Sequence, residues 1–214
     1  LCHTATLEPE LFESAYHLRP GTYPDAKGGM SKWSGNANWC KDWVARRADR
    51  AIISAEDETN MLGCVRALRS NPTIASMLQQ DACELSCFAE VNGLLCRCRP
   101  DLMAYDGADR LWILDLKKVQ KCPSAKLTWI ARDWGYDFQT AFYSDVLHSL
   151  GLDVYRFVFG LVEETPPHGV SLVMIDPVNV EAARALCAHA RDVYRQCVES
   201  GEWPNYSQEI QTVG

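Results

Sequence analysis

Apolar residues fall at helical spacing after Ser54: Met61, Leu62, Val65 and Leu68 share one stripe. Ser54 has the side chain of an N-cap. Glu56, Asp57 and Glu58 suit the positive end of a first turn. Asn71-Pro72 predicts where this helix ends. From Cys83 to Leu116 the period drops to two, which predicts strands over 84–91, 94–104 and 111–116. Asn92-Gly93 is a strong hairpin turn, and Asp106-Gly107 marks a second one. A helix is predicted over 133–150, with Gly151 as the residue that closes it. Apolar strands come next over 154–162 (VYRFVFGLV) and 170–175. A last helix is predicted over 180–200, with apolar positions at Ala183, Leu186, Cys187, Ala190, Tyr194 and Cys197. Residues 19–39, rich in Gly, Pro, Asn and Ser, predict a long loop anchored by Trp33 and Trp39. This order of elements predicts a mixed α/β fold, a central mixed β-sheet flanked by helices.

Composition narrows the picture further. The 214 residues suit one domain: N-terminal helices and a long loop over 1–82, a core over 83–175, and a C-terminal helix and tail over 176–214. A hydrophobic share of 47% and a charged share of 23% exclude a disordered or collagenous chain. No apolar run approaches the ~20 residues of a membrane span, so no membrane partner is expected. The net charge of −7 excludes a uniformly basic nucleic-acid coat. Charge is nevertheless uneven. Between Arg97 and Arg132 eight Lys or Arg face four Asp, so a local basic patch sits in an acidic chain. The ten cysteines include no C-x-x-C pair. Reduced, buried thiols in a cytoplasmic protein account for them, and a zinc or iron–sulfur site lacks its customary spacing.

The chemistry concentrates in Arg97-Cys98-Arg99-Pro100-Asp101 and Leu114-Asp115-Leu116-Lys117. A symmetric hairpin centred on Ala108 sets Asp101 opposite Asp115. Opposed carboxylates repel each other, and a divalent cation between them, bound by hard oxygens, removes the objection. Lys117 shares a strand face with Asp115, where an ammonium can orient an attacking water or stabilise a phosphoryl transition state. The spacing suits metal-dependent phosphodiester cleavage. An edge hairpin with ordinary surface charges fits the same spacing. Arg97 and Arg99 alternate onto one strand face, where they can hold phosphates or pair with local acids.

The wider pattern decides between these readings. CRCRPD and LDLKK, followed by Gln139-Thr140-Ala141-Phe142-Tyr143-Ser144-Asp145, strongly resemble the RecE-like exonucleases of the PD-(D/E)xK nuclease superfamily. So do His3-Thr4-Ala5-Thr6-Leu7-Glu8-Pro9-Glu10, Ser54-Ala55-Glu56-Asp57, the Arg66–Pro72 stretch and Glu202-Trp203-Pro204. The resemblance implies that Asp101 and Asp115 are metal ligands, together with His3 and the Leu116 carbonyl. It makes Lys117 the catalytic lysine. Gln139 and Tyr143 then form the Q-x-x-x-Y pair flanking the metal and the DNA backbone. Glu84 matches an acidic position on the first core strand and joins Arg97, Arg99 and Lys118 as an expected DNA-facing residue.

The resemblance further implies a cytoplasmic, bacterial or phage-encoded, Mg²⁺-dependent 5′→3′ exodeoxyribonuclease, with Mn²⁺ as the alternative ion. It would digest linear double-stranded DNA from its ends and leave 3′ tails for a RecT-type annealing protein. A homo-oligomeric ring is expected, its acidic exterior and basic inner face reconciling the net charge with DNA. The chain departs from the family at Lys118, where Thr or Ser is usual, and the family's segment ahead of the histidine helix is missing from these residues. The rival readings are an endonuclease of the same fold and a non-catalytic DNA-binding or assembly module.

Overall fold

The computed structural model describes residues 2–80 and 82–205. The chain opens with helices α1 (Cys2–Leu7) and α2 (Pro9–Ala15). Short strands β1 (Tyr16–Leu18), β2 (Thr22–Pro24) and β3 (Met30–Lys32), helix α3 (Asn38–Ala45) and strand β4 (Ala51–Ile53) come next. The stretch predicted as a loop therefore holds a β2–β3 hairpin. Its turn is closed by Asp25, whose Oδ1 accepts the Lys27 and Gly29 N–H groups at 2.9 and 3.0 Å. Trp33 packs edge-on against Trp39 and Trp43 beside it.

Helix α4 (Ala55–Ser70) begins where Ser54 and Asp57 form a capping box, each side chain accepting the other's backbone N–H, at 3.1 and 2.8 Å. Asn71-Pro72 ends α4 and starts α5 (Pro72–Met77), because the Asn71 side chain caps the Thr73 and Ile74 N–H groups. Strands β5 (Cys87–Val91), β6 (Leu94–Cys98), β7 (Leu102–Tyr105) and β8 (Leu111–Val119) come after it. A 3₁₀ turn (Ser124–Lys126) leads to α6 (Leu127–Asp133) and α7 (Tyr136–Ser149). The chain then runs through β9 (Val154–Glu163), β10 (Val170–Val173) and α8 (Pro177–Ser200).

Three expectations need correction. The strand predicted over 94–104 is two strands in two sheets: β6 pairs with β5, and β7 joins the central sheet. Pro100 lies at the break, with no N–H to give a ladder. The helix predicted over 133–150 is interrupted at Gly135, whose φ of +63° separates α6 from α7. The last helix starts earlier than predicted, at Pro177, where the Asp176 carboxylate accepts the Val178 N–H at 2.8 Å.

The central sheet has the order β10-β9-β8-β7. Strands β8 and β9 run parallel while the outer pairs are antiparallel, so the sheet is mixed as expected. Alternate residues serve two faces. Leu102, Leu114, Leu116, Val158 and Val162 pack with Cys64, Leu68 and Ile74 from α4 and α5. Met103, Ile113, Phe157, Phe159 and Leu161 pack with Tyr136, Val146 and Leu147 from α7. Both faces of β8 are covered, and that is why its middle is continuously buried. Gly160 allows β9 to meet β8 closely, since a Cβ there would sit 2.9 Å from Leu116 Cδ2 and 3.3 Å from Leu114 Cδ1. Gly160→Ala is therefore expected to destabilise the fold by roughly 1–3 kcal/mol, read as a lowered Tm. An unchanged Tm would show that this contact is loose. Among the described residues no helix is long and apolar enough to cross a membrane.

Candidate active site

The site forms where the start of β7 and the middle of β8 meet α1, α7 and the segment before β5. The β7–β8 register runs from Tyr105↔Leu111 to Leu102↔Leu114, and one further step along it sets Asp101 against Asp115. Asp101 lies just outside β7, after the Pro100 break, and its Oδ2 accepts the Leu116 N–H at 2.6 Å. Leu116 thus enters the site through its N–H. Asp115 and Lys117 alternate with Leu114 and Leu116 and so point to the α7 face of the sheet. Gln139, in the first turns of α7, donates its side-chain amide to Asp115 Oδ2, and the Lys117 ammonium pairs with Asp115 Oδ1. Lys117 also stands over the Tyr136 and Phe159 rings, 5.7 and 5.9 Å from their centroids. One helical turn beyond Gln139, Tyr143 is half-buried, with its ring edge-on to Phe157.

His3 of α1 spans two carboxylates: its Nε2 is 2.8 Å from Asp101 Oδ2 and its Nδ1 is 2.9 Å from Glu84 Oε1. The ligand atoms of His3, Glu84 and Asp101 lie within 4.8 Å of one another. Arg99 Nε holds the other Glu84 oxygen at 2.8 Å. Glu84 is corrected in its placement. It lies outside β5 rather than on the first core strand, with a left-handed φ of +54° that a glutamate adopts only under constraint. Its carboxylate joins the cluster of His3 and Asp101. A hydrogen bond from the Glu84 N–H to the Asp101 carbonyl, 3.0 Å, secures that backbone.

Glu84 Oε1 and Asp115 Oδ1 are buried and accept no hydrogen bond of ordinary geometry among the described residues. Their close neighbours, His3 and Lys117, approach as ion pairs. A hard divalent cation draws on carboxylate lone pairs without that alignment, so the residues present fit one. The electrostatics agree. Burial, then the Asp101 charge, raise the Asp115 pKa against the opposing pull of Lys117 and Gln139. Burial raises that of Glu84 although His3 and Arg99 oppose it. Burial disfavours the His3 imidazolium, but the hydrogen bond to Asp101 and the surrounding carboxylates prevail and raise its pKa. Burial and the Asp115 charge also raise the Tyr143 hydroxyl.

The other expected DNA contacts are dispersed. Arg97 reaches Ser86 Oγ at 3.1 Å and covers the Phe88 ring. Arg99 is committed to Glu84, and Lys118 pairs with Glu164 at 3.2 Å. All ten cysteines are free, and none joins a metal-ligating group among the described residues.

The family described as "PDDEXK-like domain of unknown function (DUF3799)" matches residues 1–213. No curated protein matches the chain. Among solved structures, the Eubacterium rectale protein named "putative exonuclease" aligns at a TM-score of 0.54 and 17% identity, which is a likeness of fold. The alignment covers 68% of this chain and 55% of that one, so this chain spans little more than half of its length. A second structure, SSO0001, aligns at a TM-score of 0.36 and 13% identity, over 61% of this chain and 58% of that one, and carries no weight.

Proposed function

The chain belongs to the PDDEXK-like family DUF3799, and from that premise we propose that it is a Mg²⁺-dependent deoxyribonuclease. The observation that carries the reading is the convergence of Asp101, Asp115 and Lys117 with His3, Glu84 and Gln139 at the start of β7 and the middle of β8. His3, Glu84 and Asp101 would hold the cation, with Asp115 completing the set from β8. Bound there, a divalent cation supplies Lewis-acid charge and lowers the pKa of water. Lys117 is held by Asp115 so that its ammonium faces the reacting phosphate, where it orients the attacking water and stabilises phosphoryl charge. Gln139 fixes Asp115 from the opposite oxygen. Tyr143 narrows the site beside it, and Arg97 and Lys118 meet backbone phosphates further out.

The proposal extends to linear double-stranded DNA, digested from the 5′ end to leave 3′ tails. Ring assembly and a RecT-type annealing partner belong to it as well. The support for these finer points is the motif resemblance, and for exonuclease action also the name of the Eubacterium rectale neighbour.

The test is digestion of a linear duplex labelled at the 5′ end of one strand and the 3′ end of the other, with Mg²⁺ or with chelator. A closed circle runs beside it. Early, Mg²⁺-dependent release of the 5′ label with intact circles is expected. Cut circles would move the function to an endonuclease, and inert substrates would leave a binding module.

A further inference from the structure

A groove of about 770 Å³ leaves the site along the sheet's α7 side, within the size range of ligand clefts (~300–1,000 Å³). Lys117 and Gln139 stand at its inner end, so it is continuous with the Asp115 carboxylate. Lys118, Lys121 and Lys126 continue along it, and among the described residues Glu164 is the only acid that lines it. Lys118 and Lys121 have glutamate partners, Glu164 and Glu163, at 3.2 and 3.1 Å. Lys126 pairs with no acid among the described residues. Trp134 also lines this groove and is 74% exposed, an uncommon placement for an indole. It stacks on no other ring among the described residues. Its backbone is nonetheless fixed. The Trp134 N–H bonds the Ile130 carbonyl and the Gly135 N–H bonds the Arg132 carbonyl, both at 3.2 Å. Gly135 then turns the chain straight into α7, which carries Gln139. An open indole on a hydrogen-bonded backbone is thus tied to the helix that holds the acidic site.

We propose that this groove binds an unpaired nucleic-acid strand, with the lysines along its phosphates and one base stacked on Trp134. A row of cations with an aromatic face between them is the recognition chemistry of single strands. In the interior of a duplex both base faces are already covered and at an end only one face is open, so the indole favours an unpaired segment, whose bases it can reach all along the strand. The proposal deepens the nuclease reading and rests on it for what happens at the inner end: the strand to be cut must leave its complement before its phosphate reaches Lys117.

The experiment measures fluorescence anisotropy of a labelled single-stranded oligonucleotide and of a blunt duplex of the same sequence, in chelator. Wild-type protein is compared with Trp134→Ala, Trp134→Phe, Lys126→Ala and Trp203→Ala, the last an exposed tryptophan outside the groove. Trp134→Ala is expected to weaken single-strand binding about 5- to 150-fold and duplex binding much less. Trp134→Phe should recover most of the loss, and Trp203→Ala should bind as wild type. Lys126→Ala should flatten the salt dependence by about 0.7 in log–log slope. Unchanged single-strand binding in Trp134→Ala, or an equal loss for the duplex, would overturn the assignment. Binding in chelator does not depend on cleavage. Trp134-dependent binding by a wild-type protein that cuts nothing would sink the nuclease reading alone. Trp134-independent binding by an active nuclease would sink the groove alone.

Discussion

Asp115→Asn is expected to abolish metal-dependent cleavage and to leave the metal-free protein at least as stable as its parent. The two halves have one cause. Asp115 is 2% exposed, and burial together with the Asp101 charge lifts its pKa above the ordinary 3.8. A carboxyl whose folded pKa is raised binds its proton more tightly folded than unfolded. At neutral pH, where it must ionise, that difference opposes folding. Asparagine keeps the shape and can still meet the Gln139 amide, while the repulsion with Asp101 disappears. The loss is catalytic: the Lys117 ammonium no longer has its anionic anchor, and a bound cation would lose an anionic ligand. Removing one such preorganised electrostatic group costs about 10²–10³ in rate, and loss of a ligand adds to that. Cleavage of the labelled duplex measures the first half and thermal melting in chelator the second. A Tm lowered by more than about 4 °C, on the order of 1–2 kcal/mol for this size, would recast Asp115 as structural. Cleavage within about tenfold of wild type, a barrier change of roughly 1.4 kcal/mol, would remove it from the chemistry.

Part of this site was legible in the sequence for reasons that can be named. Turn residues fix hairpin register, so Asp106-Gly107 and the alternation around it were enough to bring Asp101 opposite Asp115. The capping box at Ser54 and the Asn71-Pro72 junction are local chemistry and were legible as such. What escaped depends on long-range packing. Pro100 is an evident ladder-breaker, but the period of two runs through it, and only the tertiary structure shows that β6 and β7 belong to different sheets. Glu84 reaches His3 through a left-handed backbone that no side-chain pattern announces. His3 and Gln139 are ninety-eight and twenty-four residues from the carboxylates they touch, and motif resemblance alone drew attention to them. Trp134 caps α6 between Asp133 and Gly135, and no motif or periodicity there announces an exposed indole.

Divalent cations are expected to stabilise the protein far more at alkaline than at acidic pH. In the metal-free protein the three shifted groups act in one direction. His3 has a pKa raised above 6.5, so its imidazolium contributes stability that is full below 6.5 and is lost as pH climbs through the raised value. Glu84 and Asp115, raised above 4.5 and 3.8, keep protons that the unfolded chain has released, so each loses stability as pH rises from those values through the raised ones. Metal-free stability should therefore fall from weakly acidic pH to beyond pH 6.5. A divalent cation competes with those same protons, because His3 ligates only when neutral and the carboxylates only when ionised. At about a hundredfold excess over Kd the cation adds roughly 2.7 kcal/mol. For a chain of this size that is a rise in Tm of about 5–11 °C. The full rise is expected with Mn²⁺ or Mg²⁺ near pH 8 and little near pH 5.5, and Glu84→Gln should shrink the alkaline response. A cation-induced shift equal at both pH values would mean that the ion binds elsewhere, because only a site occupied by protons below neutrality gives the metal this pH dependence.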